Sequence, residues 1–590
     1  MLRWLIEHRL AALAAAAAAA AAITFLQWPR RFRRVKYSPP CARGDDARFC
    51  SVNDNASSLQ QCFFTEGGGS VCTLYECFVW GARRNPSGKC LGYRGVGGPH
   101  PGPFKWITYE QALSRAHAIG RGLVITGCCV SQPPVPELDG GARSPQHFDT
   151  LQGSCMVGLF SKNRPEWVLA EHGCFAMSVV TVPLYDTLSP QAIRFILRKT
   201  NMTCVVCSSD KVDQLIALAL ANASGDSWRL KFVVVMDGSG SPVSRSGVCV
   251  MSLQHVQAIG SASSLPLAPP QPQHLATMCF TSGTTGDPKG ALLTHSNIVA
   301  DAAGVLAMGI DAGPTDVHCS YLPLAHMFER VVHVICLFSG SAIGFFRGDV
   351  QRQLMDDVIA LQPTIFPSVP RLFNRIADKV QSSMHNASWL QSCLFALALN
   401  RKQAAMRSTG SCQHWLWDAL VFNKVRKILG GRVRLMVTGS APIAPQVLQL
   451  LRCVFCCPVI EAYGTTECGA CCTMTTMGDV TLGHVGGCIS CNAVKLADVP
   501  DMEYATQTLP PQGEVCIKGH NVFHGYFKDQ QATSEAFDSD GWLRSGDIGE
   551  WLPNGALRII DRRKNIFKLS QGECVSPPLT STLLFKPFLH

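Results

Sequence analysis

Apolar positions along this chain fall into two recurring patterns. Short runs at 156–160, 179–183, 204–207, 232–236, 275–280 and 432–437 carry few polar breaks, as strands buried on both faces do. Between them lie stretches with helical spacing: 111–120 has apolar residues at 112, 113, 116 and 119, 165–176 opens on a proline in its first turn, and 189–198 follows the same rule. Strands alternating with helices predict parallel sheet in an α/β domain. Residues 37–104 show neither period and are rich in Gly, Pro and Cys, so irregular structure is expected there. Residues 131–150 read as a long surface loop, and the Ser/Pro-rich 260s as a linker into the strand at 275–280.

One apolar run differs in kind. Residues 10–26 are mostly alanine, broken only by Thr24. As a helix they span about 26 Å, slightly short of a ~30 Å hydrocarbon core. Trp4 and Trp28 suit the two interfaces, and Arg30, Arg31, Arg33, Arg34 and Lys36 follow at once. That bias predicts a membrane anchor with the body facing the cytosol; a cleaved signal or transit peptide is the rival reading. Sequons at Asn55, Asn201, Asn222 and Asn386 would be inert on a cytosolic body.

Composition narrows the classes. A chain of 590 residues exceeds what one core supports and argues for more than one domain. The net charge of +10 sits largely near the N-terminus, with no arginine stripe interleaved with aromatics, so nucleic acid is not the expected partner. The 28 cysteines show no framework spacing, and several are adjacent, as in Cys128-Cys129, Cys456-Cys457 and Cys471-Cys472. Free thiols in a reducing compartment are expected, with a local disulfide or metal site between Cys41 and Cys90 as the alternative.

The candidate chemistry lies in separate phrases. Thr281-Ser-Gly-Thr-Thr-Gly-Asp-Pro-Lys-Gly290 is rich in glycine and hydroxyls but is not the common P-loop, since Gly290 follows the lysine. Thr281, Ser282, Gly283, Thr284, Thr285 and Gly286 offer amides and hydroxyls to phosphate, and Lys289 adds positive charge. The loop is expected directly after the strand at 275–280 and before a helix starting near Ser296, where phosphates bind in α/β sheets. In Glu461-Ala-Tyr-Gly-Thr-Thr-Glu467, Tyr463 can stack on a purine and Gly464 admits close approach. Thr465 and Thr466 bring hydroxyls, and Glu467 is a hard ligand for Mg²⁺. Gly541-Trp-Leu-Arg-Ser-Gly-Asp547 and Asp561-Arg-Arg-Lys-Asn-Ile-Phe-Lys568 supply a carboxylate and a basic run. Tyr321-Leu-Pro-Leu-Ala-His-Met-Phe-Glu-Arg330 puts His326 between a turn and an apolar helix, with Glu329 and Arg330 read as a local charge pair. Pro363 to Phe373 and the turn Thr438-Gly-Ser-Ala-Pro442 complete the set.

In this order, with Gly158 to Trp167 and Val182 to Leu188, these phrases resemble the acyl-adenylate-forming enzymes, and within them the eukaryotic long-chain fatty-acid–CoA ligases, over residues 85–576. The resemblance implies an α/β fold: a large N-terminal adenylate-forming domain of mixed and parallel sheets flanked by helices, plus the start of a small C-terminal domain. It divides the chain into an anchor and basic flank (1–36), the Cys/Gly/Pro-rich region (37–104), the AMP-binding domain (105–560) and a hinge segment (561–590) with Asp561 as hinge. It places His326 near the acyl carboxylate or adenylate, and Gly439, Ser440 and Ala441 at the nucleotide. Asp547 and Arg562 become ribose contacts, and His326, Thr466, Glu467 and Lys289 catalytic residues. ATP and Mg²⁺ serve the first step and CoA is co-substrate. The implied reaction forms acyl-AMP and pyrophosphate, then acyl-CoA and AMP.

The family continues past Pro577 into a small domain carrying an adenylation lysine, where this chain has residues 578–590. Strongly impaired acyl-CoA formation is therefore expected. An incomplete or spliced product, a non-catalytic nucleotide- or acyl-binding homologue and a weak catalyst remain open. So does adenylation of an aryl or amino acid, although the Tyr321–Arg330 and Pro363–Phe373 phrases and the anchor favour a long-chain fatty acid. The expected location is a membrane, the endoplasmic reticulum or another organelle, with no particular protein partner.

Overall fold

Two large sheets and one smaller antiparallel sheet organise the chain. The computed structural model describes residues 48–49, 59–65, 68–95, 101–133, 146–221, 228–281, 287–565, 567–568 and 574–575. The expected anchor lies outside them, and no described helix is long and apolar enough to cross a membrane. The eight-stranded sheet runs, edge to edge, Val243–Arg245, Val248–Ser252, Phe232–Val235, Cys204–Cys207, Met156–Phe160, Val180–Pro183, Leu275–Thr281 and Lys289–Thr294. Its inner pairings are parallel. The runs Cys-Val-Val-Cys and Phe-Val-Val-Val fit this, because a central parallel strand is covered on both faces.

The nine-stranded sheet centres on the parallel strands Ala342–Phe345, Val317–Ser320, Ile365–Ser368, Leu435–Thr438 and Val459–Tyr463. Helix Pro165–Ala176 shows how completely the core is covered. Eleven of its residues are buried, Glu171 and His172 among them; a helix apolar nearly all round belongs inside a protein. The antiparallel sheet joins Asn492–Ala497, Gln512–Gly519, Leu543–Trp551 and Leu557–Arg562.

Two expectations need correction. The region 37–104 is not irregular throughout: it contains helix Leu74–Arg84 and strand Lys89–Tyr93, which extends the nine-stranded sheet. The helix buries Leu74, Cys77, Phe78, Gly81 and Ala82, a helical repeat disguised by cysteine and glycine. Thr73 and Glu76 close a capping box at its start. Gly81 is required by contact, since a Cβ there would lie 1.8 Å from the Leu337 carbonyl oxygen.

The loop after Thr281 also has a different setting. It connects two antiparallel strands, Leu275–Thr281 and Lys289–Thr294, and helix His295–Ala307 begins only after the second. That helix start is one strand away from the loop. The run Ala291-Leu-Leu-Thr is buried at the sheet edge as the return strand, and the helix expected near Ser296 begins at His295. The described cysteines form no disulfide and most are buried, where thiols pack as small hydrophobes.

Candidate active site

Strand ends from all three sheets border one cavity of about 1000 Å³, at the upper end of the range for small-molecule sites. Phe280 and Thr281 end one strand and Lys289 begins the next. Val437, Gly439 and Ser440 mark a third strand end, and Gly464 to Glu467 follow a fourth. Helix Met327–Ser339 adds Met327, Val331, Val332 and Ile335, with His326 at its N-cap. Ser545, Gly546 and Arg562 come from the antiparallel sheet.

The wall has two chemical characters. Val305, Ile310, Val331, Ile335, Leu435 and Val437 make an apolar part. Elsewhere Lys289, Arg544, Arg562, Arg563 and Lys564 meet the carboxylates Glu467, Glu514 and Glu535. Cations outnumber carboxylates, an arrangement that favours a polyanionic ligand beside an apolar one.

The carboxylates are positioned by hydrogen bonds. Tyr526 donates its hydroxyl to Glu467 Oε1 at 2.8 Å, and Lys289 Nζ lies 5.4 Å from the same ring's centre. Tyr463 donates to Asp547 Oδ2 at 2.7 Å, and Arg562 Nε is 3.4 Å from Asp547 Oδ1. Burial pushes the Asp547 carboxyl above its ordinary value, against the opposing Tyr463 hydroxyl and Arg562 guanidinium. The turn carrying Thr465 and Thr466 rests on Gly464, where a Cβ would come within 2.2 Å of the Ala470 carbonyl oxygen. The chain itself therefore demands this glycine.

His326 caps its helix. Its Nδ1 accepts the Phe328 amide at 3.2 Å, so the neutral ring carries its proton on Nε2. Burial lowers its pKa, with Glu329 opposing.

Thr281, Lys289, His326, Gly439, Ser440, Gly464, Thr465, Thr466, Glu467 and Arg562 thus share one wall. Ser282, Gly283, Thr284, Thr285 and Gly286 lie outside the described residues. Tyr463 and Asp547 stand behind the wall as a hydrogen-bonded pair, and Ala441 is exposed and not among the lining residues. Ser440 has a left-handed φ of 69°, a conformation that costs a side-chain-bearing residue energy.

Glu329 and Arg330 do not pair with each other, contrary to expectation. Arg330 pairs with Glu171 and donates to Thr277 Oγ1 at 2.7 Å, while Glu329 meets His318 and His333. Adjacent residues on a helix point in different directions, so each reaches a separate neighbour.

Several positioning groups had no motif to reveal them. Tyr526 is one. Another is Asn521, fully buried, whose Nδ2 donates to Asp301 Oδ1 at 3.0 Å and to the carbonyls of Cys468 and Cys471 at 2.9 and 2.8 Å. This hub holds the segment just after Thr465–Glu467 against helix His295–Ala307. Glu514, near Arg544 and Arg563 at 3.8 and 3.6 Å, is a third.

Residues 147–527 match the family described as AMP-binding enzyme. The chain is similar to long-chain-fatty-acid–CoA ligase 1 of Homo sapiens, at 45% identity over 514 residues, covering 86% of this chain and 69% of that protein. Long-chain-fatty-acid–CoA ligase 5 of Rattus norvegicus is also 45% identical, over 86% of this chain and 70% of its own length. Among solved structures, the A domain of carboxylic acid reductase from Segniliparus rugosus, in complex with AMP and a co-purified carboxylic acid, has the same fold. Its TM-score is 0.63 at 22% identity, covering 87% of this chain and 77% of that one.

Proposed function

The chain belongs to the AMP-binding enzymes and, within them, to the long-chain-fatty-acid–CoA ligases, and from that premise we propose that it activates long-chain fatty acids with ATP and transfers the acyl group to CoA. In the first step a carboxylate oxygen bonds to the α-phosphorus as the bond to pyrophosphate breaks. In the second the CoA sulfur bonds to the acyl carbon, AMP leaves, and the thiol proton is released. The observation that carries this reading is a cavity lined by both cationic and apolar side chains.

Little covalent help from the protein is needed; position and charge do the work. Lys289 and Arg562 offset phosphate charge, and the Thr465 and Thr466 hydroxyls orient the α-phosphate or the acyl carboxylate. His326, neutral with its proton on Nε2, is a hydrogen-bond donor for the acyl carboxylate. Asp547, oriented by Tyr463, is the proposed ribose ligand. Gly439 and Ser440 border the nucleotide, and the loop at 282–286 is the proposed phosphate cradle. Each methylene in the apolar part contributes about 0.8 kcal/mol, which supports preference for long chains.

Glu467 suits a hard divalent cation, because it is a carboxylate on the cavity wall held by one hydroxyl. Mg²⁺ held by Glu467 would supply charge neutralisation for the phosphates. Asp561 is the proposed hinge between residues 105–560 and 561–590.

Fatty-acid-dependent exchange between ATP and pyrophosphate, followed by thioester formation from palmitate and CoA, tests the proposal. Exchange that answers only to aryl or amino acids overturns the substrate class. Exchange without thioester leaves adenylation and removes the second step.

Membrane association through residues 1–36, with the body on the cytosolic side of the endoplasmic reticulum or another organelle, is a separate proposal. It is supported by the apolar run at 10–26 and the basic residues after it. Fractionation of cells expressing the chain with and without residues 1–36 tests it. Equal recovery of both in the soluble fraction overturns it.

A further inference from the structure

Away from the cavity, three ligand-type side chains converge inside the core. His318 lies on strand Val317–Ser320, and Glu329 and His333 lie one turn apart on helix Met327–Ser339. All three are buried, and Glu329 is fully so. His318 Nε2 is 2.9 Å from Glu329 Oε1, His333 Nε2 is 3.4 Å from the same oxygen, and the three ligand atoms lie within 4.8 Å of one another.

We propose that His318 Nε2, His333 Nε2 and Glu329 Oε1 form a structural site for a borderline divalent transition ion, Zn²⁺ foremost, that staples helix Met327–Ser339 to the central sheet. Imidazole with carboxylate is a ligand set of this class, and an i,i+4 pair on one helix delivers two ligands to one side. Metal–ligand bonds of 2.0–2.2 Å set neighbouring donors of a tetrahedron about 3.3 Å apart. The two short separations bracket that value.

The alternative is a metal-free hydrogen-bonded triad. It leaves Glu329 Oε2 buried with no hydrogen-bond partner. A buried carboxylate oxygen without a partner is costly. A divalent ion would give Glu329 Oε2 a partner. Without the ion His333 Nε2 is 2.9 Å from Ser320 Oγ, a contact that coordination would replace, and Ser320 Oγ accepts from Asn163 Nδ2 at 2.9 Å. Asn163 thus braces the same corner from a third segment.

The location gives the ion a purpose. The helix it would fix starts at His326 and carries Val331, Val332 and Ile335 on the cavity wall. None of the three proposed ligands is among the residues that line the cavity, so the ion would take no part in the chemistry proposed there. Because the ligands are buried, the ion enters as the chain folds.

Metal analysis of the full chain, expressed with zinc and dialysed against chelator, tests the site. About one zinc per chain is expected, as for a metal bound during folding, and His318→Gln and His333→Gln should each lose it. Expression with cobalt should give visible absorption of a nitrogen–oxygen site without thiolate charge-transfer bands. Chains that fold without metal, or cobalt bands from thiolates, overturn the proposal. If the variants do not fold, the zinc content and cobalt spectrum of the wild-type chain still decide it.

Discussion

Tyr526 shows what a single side chain does at this site. Its hydroxyl orients Glu467 and its ring faces Lys289, so it couples an acid and a base of the wall. Tyr526→Phe keeps the ring and removes the donor. A hydrogen bond to a charged group contributes roughly 1.5–3 kcal/mol, so kcat/KM for ATP in pyrophosphate exchange should fall by at least about tenfold. An unchanged value would remove Tyr526 from the site. Asp301 makes a second case. Burial raises its pKa from 3.8 to about 8, while Asn521 and the Cys471 amide hold Oδ1 and pull the other way. The folded state then keeps a proton that the unfolded state releases. Stability is fully present below pH 3.8 and is lost as pH rises towards about 8, by at most about 1.4 kcal/mol per pH unit. Asp301→Asn should flatten that part of the profile in urea unfolding. The motif residues were legible because they occur in dense, unusual phrases. Asp301 and Asn521 were not, since each is an ordinary polar residue until distant segments close around it.

Elements were legible where their pattern was clean. Valine-rich runs became strands at or near the expected positions, and Pro165 opened its helix. Helix Leu74–Arg84 escaped because Cys77 and Gly81 stand on its buried face, and the hairpin after Thr281 escaped because no local pattern shows Lys289–Thr294 pairing back onto Leu275–Thr281. Between elements, the buried pair of Arg330 and Glu171 ties helix Met327–Ser339 to helix Pro165–Ala176, and Thr277 and Thr181 accept further bonds from the guanidinium. Removing one member leaves a buried charge. Arg330→Met should therefore destabilise the chain by about 3–5 kcal/mol, seen as a lower denaturation midpoint. Adding Glu171→Gln should recover most of that loss. If the single variant matches the wild type, the pair does not hold the helices.

For the whole molecule, the decisive feature is that three sheets meet at one cavity. Ile335 is buried and lies on the apolar part of its wall. Ile335→Phe adds bulk where an acyl chain would lie, and each excluded methylene forfeits about 0.8 kcal/mol. Turnover of palmitate should fall relative to octanoate, by tenfold for about two lost methylenes; an unchanged ratio would place the acyl chain elsewhere. The sequence alone determined the family, the α/β class and the polar motif residues of the wall, because strand runs and phosphate-binding phrases are local in the chain. Tertiary structure alone decided which of those residues meet, that Glu329 and Arg330 turn away from each other, and that Tyr526, Asn521 and Asp301 support the site. Those facts depend on segments far apart in sequence, and local pattern carries no information about which distant group a side chain will reach.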